Sequence, residues 1–292
     1  MKLIEPKVEL LSELNISLES HIARCARVCY GKEYKEPNQE ADEKMVEGLI
    51  KRGHLSMLRH ASVYIIHADC DGTPQYITDY IYDNPYWNFY GKHGGFASTN
   101  LQEAYKCKNM LKYCNVIDNK SFLEKCSKIP VLFSLYRFTF CITTQISTSR
   151  ELNRVSPNAI AERSTRYCSS EDGLLICRPW WFNKTSEDMS ALDITKLPIK
   201  EKIFAMAWKD AEEYYNKAIE IGMKPEDARG ILPLDAATKV IYTYSIEEWK
   251  HILDLRYYGT TGKPHPNAKL IAGKIRDEIN KFAIEHGINY KV

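Results

Sequence analysis

The stretch Glu162-Arg163-Ser164-Thr165-Arg166-Tyr167 sets one carboxylate, two guanidiniums, two hydroxyls and a phenol in six consecutive positions. Mixed-charge runs of this kind are commonly the wet faces of helices. Ser164 and Arg166, however, are two apart, so on an extended or turning backbone both point the same way. A guanidinium fork matches two phosphate oxygens, and a hydroxyl beside it donates a third bond. The stretch therefore reads either as solvated surface or as a cradle for a phosphate-bearing anion. Upstream in the same segment, RELNRVSPNAIAERSTRY (150–167), Glu151 and Arg154 stand three apart and are expected to share a helix face.

Two further stretches have the same chemical character. GHLSMLRHAS (53–62) puts His54, Ser56 and His60 at a helix-to-strand junction, where side chains and free backbone N–H groups can face a ligand. Two histidines six apart serve equally well as surface or capping residues. In ARGILP (228–233) Arg229 precedes an apolar turn, and in DLR (254–256) Arg256 ends a helix whose other face is Ile252, Leu253 and Leu255. Each is either a snorkelling core-edge residue or a cation kept for a ligand.

The elements that must position these groups are legible in outline. Residues 18–29 and 40–52 carry apolar positions three and four apart, the helical period, and Gly53 follows the second as a C-terminal glycine would. ASVYIIH (61–67) and VLFSLYRFTFCIT (131–143) read as strands, rich in β-branched and aromatic residues. Between them, 70–129 is polar and bears Tyr, Asn and Gly, as an elaboration on a smaller core would. A helix is expected after the second strand as far as about Arg154, stopped by Pro157. The last hundred residues look mostly helical: Ser245 and Glu248 have capping-box spacing, and 267–286 is amphipathic. With neither an internal repeat nor a clear linker, one α+β domain spanning 1–292, helices flanking a small sheet, is the economical reading.

Composition bounds the function. The chain has 292 residues, 44% of them hydrophobic, enough for a sizeable core, and its 40 basic and 38 acidic residues leave a net charge of +2. That balance points to no nucleic-acid or membrane partner, so any anion site must be local. The longest greasy stretch, VLFSLYRFTFCITT, carries an arginine, and the opening residues do not read as a charged-then-apolar leader; a cytoplasmic protein is expected. Nine scattered cysteines (25, 29, 70, 107, 114, 126, 141, 168, 177) show no C-x-x-C and no histidine at finger spacing, so neither a disulfide framework nor a metal site is signalled. Cys168 alone has the cationic neighbours that a nucleophilic thiolate needs.

Taken in order, GHLS before a strand, ERSTRY, ARGILP, and the arginine of DLR ahead of HPNAKLIAGKIR resemble the flavin-dependent thymidylate synthases, the ThyX family. The elaboration with NPY (84–86) and TNL (99–101), and RPWWF after the hexapeptide, are similar to that family's longer members. The resemblance covers most of the chain. It implies a ThyX-type fold, a small antiparallel sheet with flanking helices, assembled as a homotetramer with active sites at subunit interfaces. It implies methylation of dUMP at carbon 5, with the carbon from methylenetetrahydrofolate and the hydride from FAD reduced by NADPH, and without a cysteine nucleophile. Carried over, Glu151 and Arg154 of one subunit and Glu162, Ser164 and Arg166 of another, together with Arg163, Thr165, Arg229 and Arg256, would hold the nucleotide. Ser164 and Arg166 would take its phosphate, and Arg256 would be the catalytic arginine against the pyrimidine. His54, Ser56, Arg59, Arg154, Ser156, Glu162, Ser245, Glu247 and His251 would lie on the flavin side.

The departures fall on that flavin side. Where the family signature reads Arg-His-Arg, this chain reads Arg154, Val155, Ser156; Arg59 replaces a glutamate, and Ser245 and His251 replace asparagines. Each charge-assisted bond lost from a pyrophosphate removes about 1.5–3 kcal/mol. The expectation is a weakened flavin site unless Arg59 or Arg163 compensates. Two other functions follow from that weakness: one-carbon transfer to a pyrimidine nucleotide without flavin redox, leaving a hydroxymethyl product, or nucleotide binding without catalysis.

Overall fold

The computed structural model describes residues 1–32, 38–67, 75–91, 95–164, 173–183 and 193–292. Strands β1 (Lys2–Ile4) and β2 (Lys7–Leu10) lead into helices α1 (Leu18–Cys29) and α2 (Gln39–Lys51). Ser17 and Asn38 cap these helices, each accepting the backbone N–H three residues on, and Gly53 at φ +72 follows α2 in the left-handed region that a Cβ disfavours. A 3-10 turn, Leu55–His60, hands the chain to β3 (Ser62–His67). The elaboration then contributes α3 (Gln75–Asp83), β4 (Asn88–Tyr90), β5 (Gly95–Asn100), α4 (Leu101–Lys106), α5 (Lys108–Leu111), β6 (Asn115–Ile117) and α6 (Asn119–Lys128). After it come β7 (Arg137–Gln145), α7 (Ile146–Leu152), β8 (Ile160–Glu162), β9 (Leu175–Cys177), α8 (Ile199–Glu220), α9 (Pro225–Ala228), β10 (Ala237–Ser245), α10 (Ile246–Leu253) and α11 (Pro266–Glu285).

Among the described residues the fold is α+β, with two four-stranded antiparallel sheets, ordered β2-β7-β10-β8 and β4-β5-β3-β6, and a parallel pair β1-β9. The first sheet is the centre. Phe138 and Phe140 of β7 stand opposite Tyr244 and Tyr242 of β10, and all four rings pack with Trp249 of α10 and the α11 residues Ile271, Ile275 and Phe282. Trp249 is fully buried, and its indole N–H donates to the Phe138 carbonyl at 3.2 Å. The other face of these strands carries polar groups beside a small apolar cluster in which Cys141 and Ile241 meet Cys25 and Val28 of α1. Thr139 and Thr243, directly opposite in the register, share a hydrogen bond of 2.8 Å and hold His21 of α1 (3.1 Å) and His60 (2.9 Å).

One expectation changes and two gain detail. The strand expected over 131–143 begins later, because Pro130–Leu135 forms a 3-10 turn and the ladder to β10 starts at Arg137. The last hundred residues are mostly helical, as expected, but also contain β10, the partner of both β7 and β8. It is covered on both faces and so lacks the alternation that marks a half-exposed strand. The elaboration builds directly on the smaller core, since β5 and β6 both pair with β3 and complete its sheet. No helix of the described residues is long and apolar enough to cross a membrane.

Candidate active site

Arg256 lies in a π-helical turn, Asp254–Tyr258, that continues α10 and ends on Gly259 at φ +74. A Cβ at Gly259 would come within 2.8 Å of the Gly262 carbonyl oxygen and 2.9 Å of Pro264 Cδ, so a side chain there would strain the turn. Such turns re-aim a side chain out of helical register and concentrate at functional positions. Here Arg256 is aimed at α7. Its Nε donates to the Glu151 carbonyl at 2.6 Å, and its Nη2 stands 3.0 Å from Glu151 Oε2. The arginine side chain is 14% exposed and the glutamate 40%, which leaves the pair open on one side.

Glu162, at the end of β8, belongs to the same assembly. Its Oε1 accepts the hydroxyls of Ser149 on α7 and Thr238 on β10, both at 3.0 Å. The Tyr242 hydroxyl lies 2.9 Å from the Ser149 carbonyl and 2.7 Å from Asn153 Oδ1, fastening the end of α7 to the sheet. Sequence reasoning missed Ser149, Thr238 and Tyr242, because no local spacing announces a hydroxyl whose partner comes from another element. The polar hexapeptide leaves the sheet next to these groups: the Arg163 N–H donates to the Lys239 carbonyl at 2.8 Å and the Ser164 N–H to the Cys29 carbonyl at 2.9 Å. Thr165, Arg166 and Cys168 lie outside the described residues.

Arg154 does not share a helix face with Glu151. The chain must leave helical geometry ahead of Pro157 and does so at Asn153 (φ −75, ψ 71), which places Arg154 beyond the helix and exposed. Arg229 opens an exposed 3-10 turn, Arg229–Ile231. A few residues on, the Leu234 and Ala236 carbonyls accept the first N–H groups of α7, each at 3.1 Å.

On the expected flavin side, His54 and Ser56 are exposed on the 3-10 turn Leu55–His60 and its N-terminal cap. Arg59 is half-buried and fixed: Nε donates to Gln102 Oε1, Nη1 donates to the Asn158 carbonyl at 2.9 Å, and the guanidinium lies 5.6 Å over the Tyr86 ring. Tyr86 belongs to NPY and Gln102 follows TNL, whose Thr99 hydroxyl donates to the Tyr86 carbonyl at 2.8 Å. The elaboration thus braces Arg59 against the loop that carries exposed Ser156, while Val155 packs on the main core.

Other flavin-side positions are taken up by structure. Ser245 is fully buried as the cap of α10: its hydroxyl accepts the Glu248 N–H at 3.2 Å, and the Glu248 carboxylate accepts the Ser245 N–H at 2.6 Å. It presents no free hydroxyl to a ligand. Replacing Ser245 with Ala should lower stability by about 1 kcal/mol, read from the urea midpoint. Glu247 and His251 are exposed on α10. His60 is buried, and burial, then the Arg137 and Arg59 charges, push its pKa down to about 3, so it is a neutral tie between the 3-10 turn and Thr243. Burial likewise pushes the Cys107 thiol up to about 11 and those of Cys126 and Cys177 to about 12, which leaves them inert core residues.

The same groups can be set beside known proteins. Residues 101–283, more than half of the chain, match the family Thy1, described as thymidylate synthase complementing protein. This chain belongs to that family. The Thy1 match takes in Glu151, Glu162, Arg229 and Arg256, whereas His54, Ser56 and Arg59 precede it. A flavin-dependent thymidylate synthase of Synechocystis is 26% identical over 145 residues, 49% of this chain and 67% of its own length. One from Thermosipho melanesiensis is 26% identical over 122 residues, 41% of this chain and 53% of its own. A solved UMP/dUMP methylase, PolB of Streptomyces cacaoi, bound with 5-Br dUMP, aligns over 98% of this chain and 95% of its own at 15% identity and a TM-score of 0.44, a loose likeness only.

Flavin dependence in those relatives raises the question of fit. Arg59 and Ser56 on one segment, Arg154 and Ser156 on another that Arg59 ties to the first, supply two guanidiniums and two hydroxyls. That donor set suits a phosphate-bearing cofactor.

Proposed function

We propose that this Thy1-family protein is an enzyme that methylates dUMP at carbon 5 to give dTMP. The observation that carries the reading is the half-open Arg256–Glu151 pair, set by a π turn beside the anchored Glu162 and the start of the polar hexapeptide. In this reading Arg256 faces the pyrimidine and stabilises negative charge that develops on the ring. Glu151 orients Arg256 through both its carbonyl and its carboxylate, and Glu162 holds the nucleotide from β8. Ser164 and Arg166 would take the phosphate, and Arg163, Thr165, Arg154 and Arg229 would be its further nucleotide contacts. Bound flavin would supply the hydride, drawn from NADPH, and methylenetetrahydrofolate the carbon. Arg59, Ser56, Arg154 and Ser156 would hold the flavin phosphates, and His54, Glu247 and His251 would edge that side. The homotetramer, with sites shared between subunits, and a cytoplasmic location belong to the same proposal.

Calorimetry with dUMP tests it. Binding is expected, weakened at least about tenfold by Arg166→Ala, the loss of one charge-assisted phosphate clamp; absence of heat at millimolar dUMP would overturn the reading. A second reading, one-carbon transfer without flavin redox, is favoured by Val155 in the core and Ser245 in a helix cap, two flavin-side positions spent on structure. The two readings part on flavin. If Arg59 makes up for the missing Arg-His-Arg contacts, Arg59→Ala should lower FAD affinity about 10- to 100-fold, the loss of one charge-assisted bond, in an absorbance titration. Unchanged affinity would remove Arg59 from the flavin site.

A further inference from the structure

The amphipathic period of α11 produces two useful faces. Ala268, Ile271, Ile275 and Ile279 are buried in the main core. Pro266, Lys269, Leu270, Gly273 and Lys274, spaced i, i+3, i+4, i+7 and i+8, instead line one wall of a cleft of about 600 Å³. That volume is in the range of small-molecule sites.

The rest of the cleft is aromatic and basic. Trp180 is 54% exposed there, yet its loop is pinned: the Trp180 N–H donates at 2.9 Å to the side chain of Asn267, itself buried in the first turn of α11. Tyr257 is held between cations, with the Arg276 guanidinium 4.2 Å and the Lys269 ammonium 5.5 Å from its ring centre. The ring lies flat enough on α11 that a Cβ at Gly273 would come within 3.1 Å of Tyr257 Cε2. A glycine in a helix interior weakens the helix, and here its return is the close seat of that ring. Lys263 adds a third lysine to Lys269 and Lys274. The one carboxylate in the lining, Asp277, is already engaged by Arg276 at 2.7 Å. Arg256, one residue from Tyr257, turns instead to Glu151 and is not part of the lining.

We propose that this cleft is a binding site for a planar aromatic molecule carrying two or more anionic groups, its ring against Trp180 and Tyr257 and its acids on Lys263, Lys269 and Lys274. Aromatic walls without the lysines would suit any flat apolar molecule, and lysines without the walls any small anion; the pinned tryptophan, the seated tyrosine and the excess of three cations over one committed acid select the combination. The site is independent of the methylation reading.

Fluorescence anisotropy of 8-hydroxypyrene-1,3,6-trisulfonate on the full chain at low salt tests the proposal. Saturable binding is expected, weakened at least tenfold by Lys269→Glu with Lys274→Glu and at least fivefold by Trp180→Ala. It should be unchanged by Lys281→Glu, an exposed lysine of the same helix outside the cleft, with melting curves like the wild type's throughout. Displacement by ADP or by benzene-1,3,5-tricarboxylate supports the site, and the tighter competitor tells whether phosphates or carboxylates are its natural acids. Displacement by neither, equal displacement by inorganic sulfate, or binding indifferent to the cleft substitutions overturns it.

Discussion

Replacing Arg256 with alanine should cut dTMP formation roughly 100- to 1000-fold, about 3–4 kcal/mol of transition-state stabilisation, the scale of removing one preorganised donor from a site where charge develops. The fold should barely notice. Glu151, left behind, is 40% exposed and regains water, so the screened pair is worth no more than about 1 kcal/mol to stability. Arg256→Lys should not restore the rate, because an ammonium cannot reach the Glu151 carbonyl and carboxylate as a fork does while keeping a face for the ring. Glu151→Gln should cost less, since an amide oxygen still accepts from the guanidinium and only the charge is lost. Steady-state rates with melting curves for the three variants check this. A loss of rate matched by a loss of fold would assign Arg256 a structural part instead.

Acid should destabilise this protein already above the pH at which its ordinary carboxylates titrate. His60 has a folded pKa of about 3 against 6.5 in the unfolded chain, so below pH 6.5 the unfolded chain takes up a proton that the fold refuses. The stability that His60 confers is therefore complete above 6.5 and drains away as pH falls towards 3. At about 1.4 kcal/mol per unit, the step from 6.5 to 4 alone costs about 3 kcal/mol. His21 adds to it: burial, then the Arg24 and His60 charges, hold its pKa well below the ordinary value. Glu13 works the other way. Burial raises its carboxyl despite bonds from Ser62 and Asn119, so the fold retains a proton that the unfolded chain gives up above 4.5, and acid relieves that penalty. Two histidines against one carboxyl leave a net loss between pH 6.5 and 4.5. Urea midpoints at pH 7 and 4.5 measure it, and His60→Gln, which keeps a hydrogen-bonding partner for Thr243, should flatten the slope. A midpoint that does not move with pH would refute the account.

These two results draw on different layers of the sequence. Local rules sufficed wherever the determinant is local: the helical period of 18–29, Gly53 after α2 and the Ser245–Glu248 box are all found where spacing puts them. Ser245 shows the local rule prevailing, since the same serine cannot both cap α10 from the core and meet a flavin. Partnership between distant segments was not legible. Nothing in TKVIYTYS says that it pairs with both β7 and β8, and nothing in NPY or TNL says that they brace Arg59. In the candidate site, Glu151, Glu162 and Arg256 were named by the family resemblance, with Glu162 expected from another subunit; here all three are joined through α7 of one chain. The hydroxyls that fix them, Ser149, Thr238 and Tyr242, required the fold. Arg154 was misplaced because the helix was carried two residues beyond Leu152, where α7 ends ahead of the proline.

The central claim is that the Arg256 site turns dUMP into dTMP. The most direct test is the mass of the nucleotide recovered after incubating the protein with dUMP, methylenetetrahydrofolate, FAD and NADPH. Thymidylate, absent when Arg256 is alanine, is the predicted product; recovery of unchanged dUMP, or of a hydroxymethyl nucleotide formed equally well without flavin, would contradict it.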